Sequence, residues 1–298
     1  MVMNYISDLS TIKKNLISTV FGNDKKTFLL VDATLETYGS EPDLFEALSA
    51  HKNCQIVFSD PRLDGVLPLY LVPLDSSNEN SQSLFEISVR SALASLESEK
   101  LKQGKGRCVC AWLSTQLNVE QLSKFIANTA MQNIQNVGDI LLRFYDPSVL
   151  SVLLGILDPW QCRCLLDNVD VWCYIDGDGM LRSINGNGRI RKLNYSLGLS
   201  ESSFLDIKNV EIINKILLAY RDGERNDITH EAQAINTLLP ALRFFSEHFE
   251  IEGDDVVQFG IDTLTSQAQF YLSSDFTKYF SGGSGKLKYK DVKNVNIS

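Results

Sequence analysis

The sequence predicts an α/β chain: a mixed α+β N-terminal lobe followed by an all-helical C-terminal lobe. Three observations predict this. Short apolar runs of strand length alternate with helical patterns as far as Leu193. Beyond that point, three amphipathic patterns follow one another with short connections, which is how a helical bundle reads. Between the two regimes, the stretch 139–170 (DILLRFYDPSVLSVLLGILDPWQCRCLLDNVD) carries two Asp-Pro helix starts in close succession. The expected division is an α/β domain over 1–195, a helical lobe over 196–280, and a flexible basic tail over 281–298.

Taken in order, residues 5–21 place Tyr5, Leu9, Ile12, Leu16 and Val20 at helical spacing, so the chain opens with an amphipathic helix. Within 27–35, Phe28, Leu29, Leu30 and Val31 form a continuous apolar run, as in a strand buried on both faces. Asp32 at its end reads as a cap for the next turn rather than as a catalytic carboxylate. Residues 43–48 read as a short helix and 55–58 as a second strand. Pro68 and Pro73 bracket the next apolar run, 67–74. Proline cannot donate to a ladder, so this strand is expected at a sheet edge or short. The Ser/Asn-rich stretch 75–83 reads as a loop. Residues 84–97 read as a helix with Leu84, Ile87, Leu93 and Leu96 inward, and 100–107 as a basic turn. Residues 108–113 are strand-like, and 117–131 form a helix with Leu122, Phe125 and Ile126 on one face.

Ile140, Leu141, Leu142, Phe144 and Tyr145 then make a run the length of a buried strand. Asp146 caps a helix that opens on Pro147, where the missing N–H costs nothing. Val149, Leu150, Leu153, Leu154 and Leu157 give that helix its apolar stripe. Asp158-Pro159 repeats the start signal. Residues 171–176 read as a strand, Gly177-Asp178-Gly179 as a turn, and 180–184 as the returning hairpin strand. Asp176 and Asp178 resemble the opening of a calcium loop, but the twelfth position holds Asn187 instead of Glu, so the turn reading stands. Asn185-Gly186-Asn187-Gly188 is a second turn. Neither glycine pair forms a G-x-G-x-x-G pattern ahead of a helix, so no dinucleotide site follows.

In the C-terminal lobe, Phe204, Ile207, Val210, Ile213, Leu217 and Tyr220 lie on one helical stripe that Asp222-Gly223 ends. Thr229 is the expected cap of a second helix bearing Ile235, Leu238, Leu239, Leu242, Phe245 and Phe249, and Pro240 is expected to kink or split it. Asp254-Asp255 opens a third, running through Val257, Ile261, Leu264, Ala268 and Tyr271. The sequence SGGSG at 281–285 reads as a flexible linker ahead of Lys286, Lys288, Lys290 and Lys293. Its Gly-Lys pair is not a phosphate loop, because Leu287 stands where Ser or Thr must hold magnesium.

Composition removes several function classes. Twenty-eight basic residues against 37 acidic ones give a net charge of −9, which argues against a nucleic-acid partner. No apolar run approaches the ~20 residues that span a bilayer. The opening MVMNYISDLSTIKKNL lacks the basic-then-apolar layout of a signal peptide, so no membrane partner is expected and the protein reads as cytoplasmic. The six cysteines are expected as free thiols. Cys108/Cys110 and Cys162/Cys164 have C-x-C rather than C-x₂₋₄-C spacing. The first pair would share one face of a strand, and the second would diverge by about 200° on a helix. His230-Glu231 is followed by Ala-Gln-Ala, so H-E-x-x-H fails, and no G-x-S-x-G elbow is present. No catalytic residue, metal site or cofactor is therefore assigned and the chain reads as a non-enzyme. A Cys–His pair meeting in space is left open. The partner-binding candidates are Arg143, Tyr145 and Asp146, and the aromatic-dense Phe244, Phe245 and Phe249; most of these aromatics, with those of 276–280, are expected in the core and some on the surface. Arg143 and Asp146 also have a structural reading, as an ion-pair partner and a helix cap. An exposed aromatic patch would be a docking site.

Three stretches carry a resemblance. Leu29-Leu30-Val31-Asp32-Ala33, then Leu67-Pro68-Leu69-Tyr70-Leu71-Val72-Pro73-Leu74, then Arg143-Phe144-Tyr145-Asp146-Pro147 with Leu157-Asp158-Pro159-Trp160-Gln161 resemble, in this order and spacing, a bacterial family of effector chaperones of the type VI secretion system. The resemblance spans about 27–178. It implies a non-catalytic adaptor that binds a specific toxic cargo effector and loads it onto the VgrG spike without itself being secreted. By the same analogy the α/β lobe is the shared part and the helical lobe selects cargo. Two other readings are a ligand-binding regulatory protein, marked by a closed pocket in the α/β lobe, and a Cys-dependent enzyme, marked by a low-pKa cysteine near His51, His230 or His248.

Overall fold

The computed structural model of the chain describes residues 9–22, 24–34, 41–63, 66–103, 107–186, 188, 195–223, 229–251, 254–266, 269–280 and 286–296. Two compact units result: unit 1 comprises 1–150 and 157–201, and unit 2 comprises 151–156 and 202–298.

Unit 1 is built on six strands: β1 (Lys26–Asp32), β2 (Cys54–Gln55), β3 (Leu69–Leu74), β4 (Val109–Thr115), β7 (Val171–Ile175) and β8 (Leu181–Asn185). Their order is β2-β3-β1-β4-β7-β8, and every pairing is antiparallel. The continuous apolar runs therefore report burial on both faces rather than a parallel sheet. All of β4, and β1 from Thr27 onward, are buried. One face carries the row Val72, Leu29, Trp112 and Cys173 across four strands. Onto it pack α1 (Leu9–Val20) through Ile12, Leu16 and Val20, α2 (Pro42–Ser49) through Leu44 and Leu48, and α3 (Glu79–Ala94) through Leu84, Phe85, Val89 and Ala92. The Trp112 indole N–H within this core donates to Ser88 Oγ of α3 at 2.9 Å, so the large ring is buried without an orphan donor. A short α4 (Ser98–Lys102) follows α3 where a basic turn was expected, and α5 (Val119–Ala130), closed by an Asn118/Gln121 capping box, packs on β2 and β3.

Several expectations are corrected. The run bracketed by Pro68 and Pro73 gives a six-residue strand, with Pro68 just ahead of it, and that strand lies between β1 and β2 rather than at the sheet edge. Pro73 is tolerated because β2 pairs only with Tyr70 and Leu71, leaving the other flank of β3 open at Pro73. Asn78 accepts from Ser81 N and starts α3 at Glu79, inside the stretch read as loop. The run 140–145 is only partly strand. β5 (Met131–Ile134) and β6 (Gly138–Leu141) form a separate hairpin, and Leu142, Phe144 and Tyr145 are buried beyond it, the last two in a turn. Asp146 and Asp158 do start helices, α6 (Pro147–Ile156) and α7 (Pro159–Leu165).

Unit 2 holds α8 (Glu201–Lys208), α9 (Val210–Asp222), α10 (Glu231–His248), α11 (Asp255–Thr265), α12 (Ser274–Thr277) and α13 (Tyr289–Asn296). The stripe 204–220 is two helices, broken where Asn209 N turns back onto Asp206 O. α10 starts after His230. Thr229 does not cap it, and the Thr229 amide donates to Tyr220 Oη. Pro240 does not split α10. Pro240 and Asn236, whose carbonyl loses its helical partner, both lie on the exposed face of the helix. α11 ends at Thr265, and Tyr271 sits in a separate 3-10 turn, Phe270–Leu272. The expected tail is also corrected: Tyr289 and Val292 of α13 are buried, while the linker 281–285 lies outside the described residues, as do Tyr5, Asn187 and Ala268.

Candidate functional site

The sequence-distant candidates of unit 1 meet at one point. Asp32 ends β1 and is buried, its amide donating to Cys108 O at 2.8 Å. Its Oδ1 accepts from the Thr34 amide and hydroxyl, and its Oδ2 accepts from Arg143 Nη2 at 2.9 Å. The same Arg143 nitrogen lies 3.5 Å from Asp146 Oδ2. Asp146 caps α6: Oδ1 accepts from the Ser148 amide at 2.9 Å and from the Ser148 hydroxyl at 2.6 Å. One guanidinium thus ties the end of β1 to the start of α6. Burial works against its charge, and Asp146, Tyr145 and Asp32 outweigh it, so Arg143 stays charged.

The Arg143 Cζ stands 5.9 Å from the Tyr145 ring centroid. Tyr145 is fully buried, which pushes its hydroxyl pKa up, and Phe144 packs 5.6 Å from Trp172. Tyr145 Oη and Arg143 Nε have no hydrogen-bond partner among the described residues.

The cysteines differ in surroundings. A β-bulge between Leu30 and Val31 pairs those residues with Ala111 and Val109 and skips Cys110. Cys108 belongs to the core that α1, α2 and α3 cover and Cys110 does not, so the expectation of one shared face fails. Burial raises all four cysteines with a resolved shift: Cys108 and Cys173 to about 12, with Cys110 and Cys162 also raised. None of these four is an activated thiolate. His51 Nδ1 lies 2.8 Å from Ala47 O in unit 1. His230 and His248 stand at opposite ends of α10, about 27 Å apart at helical rise. Among the described residues no group of three His, Cys, Asp or Glu is placed to hold a metal ion. Asp176, from the calcium-like stretch, is consumed by its turn, accepting from the Asp178 and Met180 amides and pairing with Arg182.

The aromatic candidates of unit 2 are corrected. Phe245 and Phe249 are 1% and 0% exposed and stack on each other at 5.1 Å, so they are core side chains and present no docking patch. Phe244 is half-buried, stacked 4.1 Å on His248 and 5.1 Å from Tyr271. Counting aromatics cannot separate a core cluster from a surface patch, because the same density serves both.

Sequence reasoning passed over Trp160. In Leu157-Asp158-Pro159-Trp160-Gln161, Asp158 accepts from the Trp160 and Gln161 amides, Pro159 fills the first helical position, and Gln161 closes the capping box. The Trp160 side chain has no part in this, and the residue is 50% exposed. The available signal was that each neighbour had a local role and the tryptophan had none. Unit 1 also carries an open cleft of about 620 Å³, lined by Phe21, Lys25, Lys26, Pro73, Asp75 and Asn118 among others. No helix among the described residues is long and apolar enough to cross a membrane.

Residues 27–164 match the family model described as a domain of unknown function, DUF4123. No curated protein and no solved structure matches the chain. The matched span starts inside β1, ends inside α7, and contains Asp32, Arg143, Asp146 and Trp160 together. This part of the chain is thus similar to that family of unknown function.

Proposed function

We propose that the protein is a non-catalytic adaptor that binds one type VI secretion effector and loads it onto the VgrG spike. The observation that carries this reading is that the family span and the resemblance motifs coincide. The segments containing Asp32 and Arg143 are 111 residues apart in sequence and joined by one ion pair, so the motifs describe a single folded element.

The chemistry of unit 1 fits this reading better than the alternatives. Two carboxylates around one guanidinium hold each other and leave no base or nucleophile poised, and the four cysteines with resolved shifts carry raised pKa values. A regulatory protein with an enclosed ligand would need a closed pocket, and the 620 Å³ cleft is open. A half-exposed tryptophan on a rigid capped helix is the kind of side chain that anchors a protein partner, so Trp160 is assigned to partner contact.

The test is affinity capture of the tagged protein from its native lysate with partners identified by mass spectrometry. Joint recovery of a spike protein and one large effector is expected. Recovery of neither, from cells that express both, would sink the adaptor reading.

A further inference from the structure

Residues 286–296, KLKYKDVKNVN, carry four lysines and one aspartate in a chain of net charge −9. Within unit 2 they lie on a surface that treats them as a ligand. Leu287 forms a parallel bridge with Phe249: its amide donates to His248 O at 3.0 Å and its carbonyl accepts from Glu250 N at 2.9 Å. Tyr289 is 1% exposed, with its ring 5.1 Å from Phe259 and 5.6 Å from Phe249, edge to face at 89° and 90°. Its hydroxyl donates to Asp262 Oδ2 at 2.7 Å, and Lys293 Nζ stands 2.8 Å from the same oxygen. Lys286 Nζ donates to Ser246 O at 2.6 Å. Strand addition, an aromatic anchor in an aromatic pocket, and opposite charge at the rim are the three means by which domains hold short peptides.

Two features make the segment separable from its groove. The α13 helix has eight residues, too few to persist alone. The groove has its own frame: Phe245 stands 5.1 Å from both Phe249 and Phe259, and Phe249 stands 6.0 Å from Phe259, all without Tyr289.

We propose that this groove is a peptide-acceptor site, that residues 286–296 fill it in cis, and that its ligand in trans is a basic segment of another protein with a tyrosine in the place of Tyr289. The assignment rests on unit 2 alone and does not depend on the adaptor reading.

The test uses the full chain carrying Tyr289→Ala, which vacates the anchor position, and a fluorescent peptide copying residues 286–296 as the probe. The variant should bind the peptide saturably by anisotropy. The unaltered chain, whose own segment competes, should bind it on the order of tenfold more weakly or less. A peptide with its tyrosine replaced by alanine, or Asp262→Asn added to the variant, should abolish binding. A folded variant that ignores the peptide overturns the proposal. Should the variant not fold, hydrogen exchange on the unaltered chain decides. Amides of α13 exchanging at least about tenfold faster than those of α10 and α11, after correction for intrinsic rates, mark a segment that leaves its groove. Equal protection makes α13 an integral part of the core and overturns the proposal. A concentration-dependent dimer formed by exchange of residues 286–296 would give the groove to a second copy and overturn the assignment to a different protein.

Discussion

Replacing Arg143 with methionine tests whether one guanidinium holds β1 to α6. The change keeps much of the apolar stem and removes the charge. Asp32 would retain its two bonds from Thr34 but lose its only ion pair among the described residues, with its side chain 9% exposed. Stranding a fully buried charge costs about 3–5 kcal/mol, whereas a surface pair is worth at most about 1 kcal/mol. The Arg143 side chain is 42% exposed, so water screens one partner and the pair falls between these limits. We expect a loss of about 2 kcal/mol, or roughly 4–8 °C in melting temperature for a unit of this size. The assay is unusually clean, because Trp112, Trp160 and Trp172 all lie in unit 1 and tryptophan fluorescence follows that unit alone. Asp32→Asn keeps the acceptor for Thr34 and removes the charge. The double variant should recover about 1 kcal/mol or more of the summed single losses. Asp146→Asn should cost less than Arg143→Met, since its contact with Arg143 is 3.5 Å and its cap bonds to Ser148 survive in asparagine. A melting temperature for Arg143→Met within about 1 °C of the unaltered protein, or strict additivity in the double variant, would refute the staple.

Three further outcomes follow from the same structure. A Cβ on Gly260 would meet Ile216 Cδ1 at 2.4 Å and its Cγ atoms at 2.8 and 2.9 Å. Gly260→Ala should therefore destabilise unit 2 by about 1–2 kcal/mol net of helix propensity, and Ile216→Ala on that background should lower the penalty in urea titrations followed by circular dichroism. Asp158→Ala should cost about 1 kcal/mol through the lost cap, whereas Trp160→Ala should leave the tryptophan-monitored urea midpoint within about 0.5 kcal/mol and reduce partner recovery in the capture experiment. Stability under reducing conditions should fall between pH 8 and 10.5. Burial holds the Cys108 and Cys173 protons in the folded state up to about 12, while the unfolded chain releases them near ~8.5. The folded state then binds more protons in that window, so the pKa rise contributes stability that is complete below it and drains as pH climbs, at up to about 1.4 kcal/mol per pH unit per thiol. A urea midpoint that stays flat across that window would contradict the burial of these thiols.

Local chemistry was the readable part of the fold. Asp146-Pro147 and Asp158-Pro159 start helices because cap and proline act within three residues, and Gly177-Asp178-Gly179 turns a hairpin for the same reason. The apolar run 28–31 showed burial on both faces but not strand direction, since helices on either side of an antiparallel sheet impose the same composition. Pro240 does not split α10, and its place on the exposed face of that helix is a tertiary fact. The stripe expected on α11, Val257, Ile261 and Leu264, is displaced by one position to Val256, Phe259, Gly260 and Thr263, because close packing on α9 selects the glycine face. At the candidate site, Arg143 and Asp146 were legible as ion-pair partner and cap, but the identity of the partner carboxylate was not. Asp32 and Arg143 are 111 residues apart, and only the sheet order brings them together.

That meeting satisfies the charged residues of the matched stretch internally. Asp32, Arg143 and Asp146 bind one another, Phe144 and Tyr145 are fully buried, and Asp158 and Gln161 close a helix end. To contact a partner, Asp32 would first have to give up two hydrogen bonds and an ion pair that the partner must replace in kind. Trp160 gives up only water, which is the favourable direction for an aromatic ring. A motif whose charged residues are satisfied internally therefore reports architecture, and recognition is to be sought in the side chains that the architecture leaves unused. Substitutions at Arg143 and Asp32 should accordingly lower partner recovery only as far as they lower the melting temperature of unit 1, whereas Trp160→Ala should separate the two.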